Sequence, residues 1–168
     1  LAHRHLGPGL TGFEVMGRFA LGLVDRHFEQ LTVPLLNTTG DGGAGTSYFV
    51  LLENSDHESE AHARAVFERL LEAALEAELV LDAVVAESLN QARHLWHLRE
   101  SIPLAQAEEG LNIKHDISIP VSRIVEFVEQ TDALLAREIP GVRLVNFGHL
   151  GDGNLHYNVQ APEGIDAA

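Results

Sequence analysis

Apolar and polar positions change period several times along the chain, and each change marks an element. Residues 11–16, TGFEVM, read as a strand. They run into GRFALGLVDRHFEQL, where Phe19, Leu23 and Val24 share a helix face. NTTGDGGAGTS (37–47) has the composition of a loop, and the unbroken apolar run of SYFVLLEN predicts a buried strand. The strongest helix is 55–78: Ser55 is the expected N-cap, Asp56, Glu58 and Glu60 load the first turn, and Val66, Leu70, Leu71 and Leu75 form the stripe. LVLDAVVA (79–86) predicts another strand, and 88–110 a helix that Pro103 ends or kinks. Over 111–120, Ile113, His115, Ile117 and Ile119 alternate with Asn112, Lys114, Asp116 and Ser118, the period of a half-buried strand. An amphipathic helix capped by Ser122 follows, and VRLVNFGH and NLHYNVQA close the chain as a β-hairpin.

Strands alternating with helices suggest a parallel sheet, but the final hairpin must be antiparallel. The pattern therefore predicts an α+β fold, an antiparallel, ferredoxin-like sheet with helices packed on one face, formed by residues 1–168 as one domain.

Composition narrows the function classes. With 168 residues, 45% of them hydrophobic, the chain can build a full core. No apolar run approaches the roughly 18 residues of a membrane span, so no membrane insertion is expected. Neither a signal pattern nor an initiator Met opens the sequence, and we expect a cytoplasmic piece cut from a longer protein. The net charge of −14 opposes binding to nucleic acid or anionic membrane. Cysteine is absent, so a metal must be held by His, Asp, Glu or backbone oxygen. Arginine outnumbers lysine ten to one, which singles out Lys114 as either a surface remnant or a retained functional group.

The segment GHLGDGNLH (148–156) carries the candidate chemistry. With Asp152 and Gly153 at the centre of a two-residue turn, His149 stands directly opposite His156. Directly opposed residues share a face with Cβ atoms about 4.5–5.5 Å apart, close enough for both imidazoles to bind one ion. The same register puts Phe147 and Asn158 on the histidine face and turns Leu150, Leu155 and Tyr157 away. A solvated turn that happens to carry two histidines has the same spacing, and two ligands do not complete a zinc site. Asp152 reads first as a turn residue. Asp116 shares a strand face with Lys114, while His94 and His97 read as helix surface.

NFGHLGDGNLHYNV resembles the signature near the C-terminus of FAD-linked oxidases acting on D-2-hydroxy acids, a group with D-lactate dehydrogenase, the FAD subunit of glycolate oxidase and D-2-hydroxyglutarate dehydrogenase. LWHLRESI is similar to that family's Leu-Trp-x-x-Arg-Glu helix, and KHDISIPVSRIVEFV to its Lys-x-Asp strand and following helix. GFEVMGRFALGLV resembles the strand and helix that open its substrate domain.

The resemblance implies that His149 and His156 bind a divalent metal, usually zinc. It implies that Arg99, Lys114 and Asn158 bind the carboxylate-bearing substrate, and that hydride passes from the substrate Cα to FAD. A threonine of the hydroxyglutarate branch corresponds to Pro103, a departure that favours lactate, glycolate or another 2-hydroxy acid. The family's third metal ligand and catalytic base, a Glu-His pair, are expected downstream of Ala168, and its FAD-binding domain upstream of Leu1. On this reading the fragment alone is inactive and needs both the FAD domain and an electron acceptor that no motif names. Pairing through a cut sheet edge would make a homodimer. The alternative is a stand-alone metal-binding module without redox chemistry. A metallohydrolase would need a third ligand cluster, and no His-Glu-x-x-His or similar motif supplies one.

Overall fold

The computed structural model describes residues 1–38 and 47–165. In chain order the elements are α1 (Ala2–Leu6), β1 (Leu10–Gly17), α2 (Arg18–His27), β2 (Tyr48–Asn54), α3 (Glu60–Glu76) and α4 (Leu89–Ala107). They are followed by β3 (Asn112–Ile113), β4 (Asp116–Ser118), α5 (Ile124–Glu138), β5 (Arg143–His149) and β6 (Asn154–Gln160). Among the described residues the strands form one six-stranded sheet in the order β2-β1-β5-β6, with β3 and β4 both on the outer edge of β6. Every pairing is antiparallel. The α+β class and the closing hairpin are as expected, and no helix among the described residues is long and apolar enough to cross a membrane.

The pleat sorts the core into two layers. Met16, Val145 and Phe147 point to one face and pack with Ala20, Leu23 and Val24 of α2 and Leu98, Ile102 and Ala105 of α4. Leu155 and Tyr157 point to the other and pack with Ile124 and Val128 of α5. Helices thus cover both faces, where the sequence reading placed them on one. Alternation along β5 and β6 makes both faces apolar, and a single helical layer would leave one of them in water.

Several local expectations change. Residues 79–86 form no strand; Leu79 and Leu81 are exposed, and apolar composition without a paired neighbour does not make a strand. β2 lies at the sheet edge and is half-exposed rather than buried, with Tyr48 and Val50 facing solvent. Helix α3 is capped by Ser59, whose side chain accepts from the backbone N–H of His62, and not by Ser55. Asp56 displaces the start, because its carboxylate accepts from the N–H groups of Glu58 and Ser59 and holds 56–59 in a turn. Ser122 lies in a short 3-10 turn, and α5 starts at Ile124. The continuous strand expected over 111–120 is broken at Lys114–His115. Pro103 neither ends nor breaks α4, which continues to Ala107. Most of the 37–47 loop lies outside the described residues.

One buried ion cluster ties the far end of the sheet to α2 and α4. Glu109 accepts from Arg26 at 2.9 Å and from His27 at 2.7 Å, and it also pairs with Arg143 of β5. Burial pushes the Glu109 carboxyl up, but the hydrogen bonds from His27, Arg143 and Arg26 together hold it below the usual carboxylate range. A depressed folded-state pKa gives stability that is present above the unfolded value and lost as pH falls through the folded one. Urea titrations from pH 7 to 3 should therefore show the stability gap between wild type and Glu109→Gln closing as pH drops. A gap that stayed constant would separate the cluster from acid stability.

Candidate functional site

Helix α4 lays its chemistry across the sheet. Ser88 caps it, and its side chain accepts from the Gln91 N–H. Leu98, Ile102 and Ala105 seat one side of the helix in the core. Trp96, Arg99, Pro103 and Gln106 follow at spacings of three and four, so they form a second stripe. The Trp96 indole donates to Glu53 of β2 at 2.8 Å, and a Cβ on Gly12 of β1 would come within 2.9 Å of the same ring. One turn on, Arg99 Nε donates to Glu14 Oε2 of β1 at 2.8 Å. Two turns later Gln106 Oε1 accepts from Asn158 of β6 at 2.8 Å. The stripe therefore steps across the sheet from β2 to β6.

The hairpin departs from the predicted turn. His149 pairs with Asn154 and Phe147 with His156, so the connection is a four-residue loop, Leu150–Gly153. Asp152 shapes it through an Asx contact, accepting from the Asn154 N–H at 2.9 Å. The Leu150 N–H donates to Phe13 O of β1, and Ile119 N–H to Gly153 O. Gly153 holds φ +79°, and an added Cβ would meet Ile119 O at 2.1 Å. The two-residue turn fails because those neighbours grip a wider loop. A shift of two residues preserves parity, so His149 and His156 still share a face. They are diagonal neighbours, a relation with typical separations of about 7–8 Å, rather than directly opposed.

Around them the face is continuous. Glu14 of β1 is the direct cross-strand neighbour of His149, and its Oε1 is hydrogen-bonded to the imidazole Nδ1. Asp116 of β4 is the direct neighbour of His156, and its carboxylate is likewise hydrogen-bonded to Nδ1. The Phe147 ring stacks on His156 with centroids 4.6 Å apart, and the Arg99 guanidinium lies 5.0 Å from the Phe147 centroid. Arg99 and Glu14 side chains are 11% and 4% exposed, so their ion pair is nearly dry; His149 is 48% exposed and opens the site to solvent.

Asn158 sits deeper, 3% exposed, with Nδ2 on Gln106 and Oδ1 accepting from the His115 N–H at 3.0 Å. Gln106 in turn reaches Gln160, whose amide donates to Glu109 O. Lys114 is exposed and makes no hydrogen bond or ion pair among the described residues. The register pairing Asn112 with Gln160 and Asp116 with His156 sets it level with Asn158. Thus Arg99, His149 and His156 gather directly, Asn158 joins through Gln106, and Lys114 stands at the sheet edge. His94 bonds Thr32 O at 2.9 Å, away from this face.

Sequence reasoning missed Glu14 and Gln106. The signal for Glu14 was available: an acid at an inward position of an apolar strand requires a buried partner. Nothing in the chain order named that partner, which lies 85 residues away on another element.

The donor chemistry suits a divalent metal, since histidines that bind metals commonly hold a carboxylate with the other ring nitrogen. Both imidazoles meet a carboxylate through Nδ1, leaving Nε2 as the remaining ligating atom. Among the described residues no group of three His, Asp or Glu is arranged to hold an ion, so any ligand set needs a further donor.

Comparison with known proteins finds relatives over most of the chain. D-2-hydroxyglutarate dehydrogenase of Arabidopsis thaliana, a mitochondrial protein, is 33% identical over 162 residues, which are 96% of this chain and 27% of that protein. The mitochondrial D-2-hydroxyglutarate dehydrogenase of Rattus norvegicus is 35% identical over 156 residues, 93% of this chain and 27% of that protein. A mitochondrial Schizosaccharomyces pombe protein named as a D-lactate dehydrogenase is 32% identical over 164 residues, 92% of this chain and 30% of its own length. The chain thus spans about a quarter of the length of the curated relatives it matches. The family model for FAD linked oxidases, C-terminal domain, matches residues 2–167, and the chain belongs to that family.

Proposed function

We propose that this chain is the substrate- and metal-binding part of a FAD-dependent D-2-hydroxy-acid dehydrogenase. The observation that carries the reading is the guanidinium of Arg99 seated on Phe147, beside the two hairpin histidines on the same face of the sheet. His149 and His156 would hold the metal; their imidazole nitrogens suit zinc among other first-row metals, and zinc is the ion the family resemblance implies. When bound, the metal supplies Lewis-acid polarisation of a hydroxyl and FAD supplies the two-electron acceptor.

The chain's own residues bind and orient. Arg99 spends Nε on Glu14 and keeps both Nη groups for a substrate carboxylate, which a planar fork grips through two oxygens. Phe147 supports the guanidinium from below and excludes water from it. Lys114 adds a point charge at the rim for an anionic substrate, and Asn158 has one amide proton to offer.

Several relatives carry the name D-2-hydroxyglutarate dehydrogenase, whereas Pro103 on the Arg99 stripe brings no hydroxyl to the site. We therefore assign the substrate class, D-2-hydroxy acids, and propose lactate, glycolate and hydroxyglutarate as members to test. The proposed setting is cytoplasmic, with a FAD domain in the same protein and a separate electron acceptor.

The test is spectroscopic. Full-length protein loaded with FAD is expected to lose its oxidised-flavin absorbance when one of these acids is added without another acceptor. A flavin that stays oxidised with every D-2-hydroxy acid tried would overturn the assignment.

A further inference from the structure

Glu14 is the least exposed carboxylate on the site face, and neither its position in β1 nor its charge is needed to build a strand. A buried acid costs several kcal/mol unless it is paired. Here each oxygen has its own partner. Oε2 accepts from Arg99 Nε at 2.8 Å, and Oε1 is bonded to His149 Nδ1. Cross-strand pairing with His149 fixes one contact, and the stripe of α4 fixes the other.

An ionised carboxylate only accepts hydrogen bonds, so a neutral His149 imidazole carries its proton on Nδ1. That leaves the Nε2 lone pair free to donate to a metal. The same carboxylate takes the side-on N–H of Arg99 and leaves its end-on fork for an anion. Asp116 repeats half of this on His156, but its side chain is 72% exposed and it holds no arginine.

Glu14 is not itself placed to bind substrate or an ion, because it is buried and both oxygens are taken. We infer that Glu14 is a positioning residue that couples the two halves of the site: one carboxylate sets the tautomer of His149 and the orientation of Arg99. This rests on the metal and substrate roles proposed above for His149 and Arg99.

Glu14→Gln separates the possibilities because it keeps size while replacing one acceptor by an NH2 donor. If the remaining amide oxygen stays on Arg99, the NH2 must face Nδ1. The imidazole proton then moves to Nε2, and the ligating lone pair is lost. The experiment uses full-length holoprotein stripped of metal, with 15N-labelled histidine and His149→Gln to assign the signals. The expected result is a wild-type His149 protonated at Nδ1, and a shift of that proton to Nε2 in Glu14→Gln. Zinc competition should show affinity falling about 10- to 100-fold, with KM for the hydroxy acid rising.

A wild-type His149 protonated at Nε2 overturns the inference, and so does a Glu14→Gln protein with unchanged tautomer and unchanged zinc affinity. The wild-type measurement needs no variant to fold. If the tautomer shifts as expected but wild type binds no zinc, Glu14 keeps its positioning role and the metal assignment falls instead.

Discussion

Replacing Arg99 by alanine in the full-length flavoprotein is expected to damage two measurable properties at once. The first is stability. Arg99 and Glu14 form a nearly dry pair, and removal of one partner strands the other charge in the sheet. Breaking a buried pair from one side typically costs about 3–5 kcal/mol, against about 0–1 for an exposed pair. Urea unfolding monitored by far-UV circular dichroism should report a loss in the larger range.

The second property is substrate recognition. Loss of a desolvated charge partner costs about 2–5 kcal/mol, roughly 30-fold to several-thousand-fold in kcat/KM. Arg99→Lys tests the fork specifically. A lysine restores the charge, but its three donors share one nitrogen, so once it pairs with Glu14 it offers no planar fork to two carboxylate oxygens, and KM should rise more than kcat falls. Full activity in Arg99→Lys would remove the bidentate role from the proposal. Stability in Arg99→Ala equal to wild type would show that Glu14 is not desolvated.

Gly153→Ala is the second large effect, and Gly151→Ala two residues earlier is its control. At Gly153 an alanine must hold φ +79°, which costs about 1–3 kcal/mol for a residue with a Cβ, and must also displace Ile119 O from 2.1 Å. Overpacking of this kind adds about 1–3 kcal/mol. Together they give an expected loss of about 2–6 kcal/mol in unfolding free energy. Gly151 has no atom within 4 Å of an added Cβ, and its substitution should change stability by no more than about 0.5 kcal/mol. Equal effects at the two glycines would show that the loop does not dock on the segment after β4. Because the loop carries His149 at one end and Asn154 at the other, a displaced Gly153 should also weaken metal binding.

Much of the architecture was readable from periodicity. β1, α2, α4, α5 and the hairpin strands all lie where the repeats of two and 3.6 put them. The elements that went astray share a cause. Residues 79–86 and β2 are similarly apolar, yet only β2 finds a hydrogen-bonding neighbour, and it does so at an edge. The strand expected over 111–120 breaks because Asn158 takes the backbone N–H of His115 with its side chain, an alternative that no alternation pattern reveals. Ser55 lost its cap role to Ser59 through the local competition of Asp56.

For the site, the chain order alone determined that His149 and His156 share a face, since any even shift of a hairpin preserves parity. It also placed Arg99 on a helix and, through three spaced motifs, pointed to the family. Tertiary structure decided the rest. The width of the loop depended on Phe13 and Ile119, which approach from β1 and from the segment after β4. The helix-covered second face depended on α5 crossing beneath β6. Glu14 became the partner of both His149 and Arg99 only when β1 paired with β5 and α4 folded over them. Parity and periodicity are properties of neighbouring residues, and a sequence carries them openly. A carboxylate held between two donors 85 and 135 residues away exists only once the sheet has closed around it.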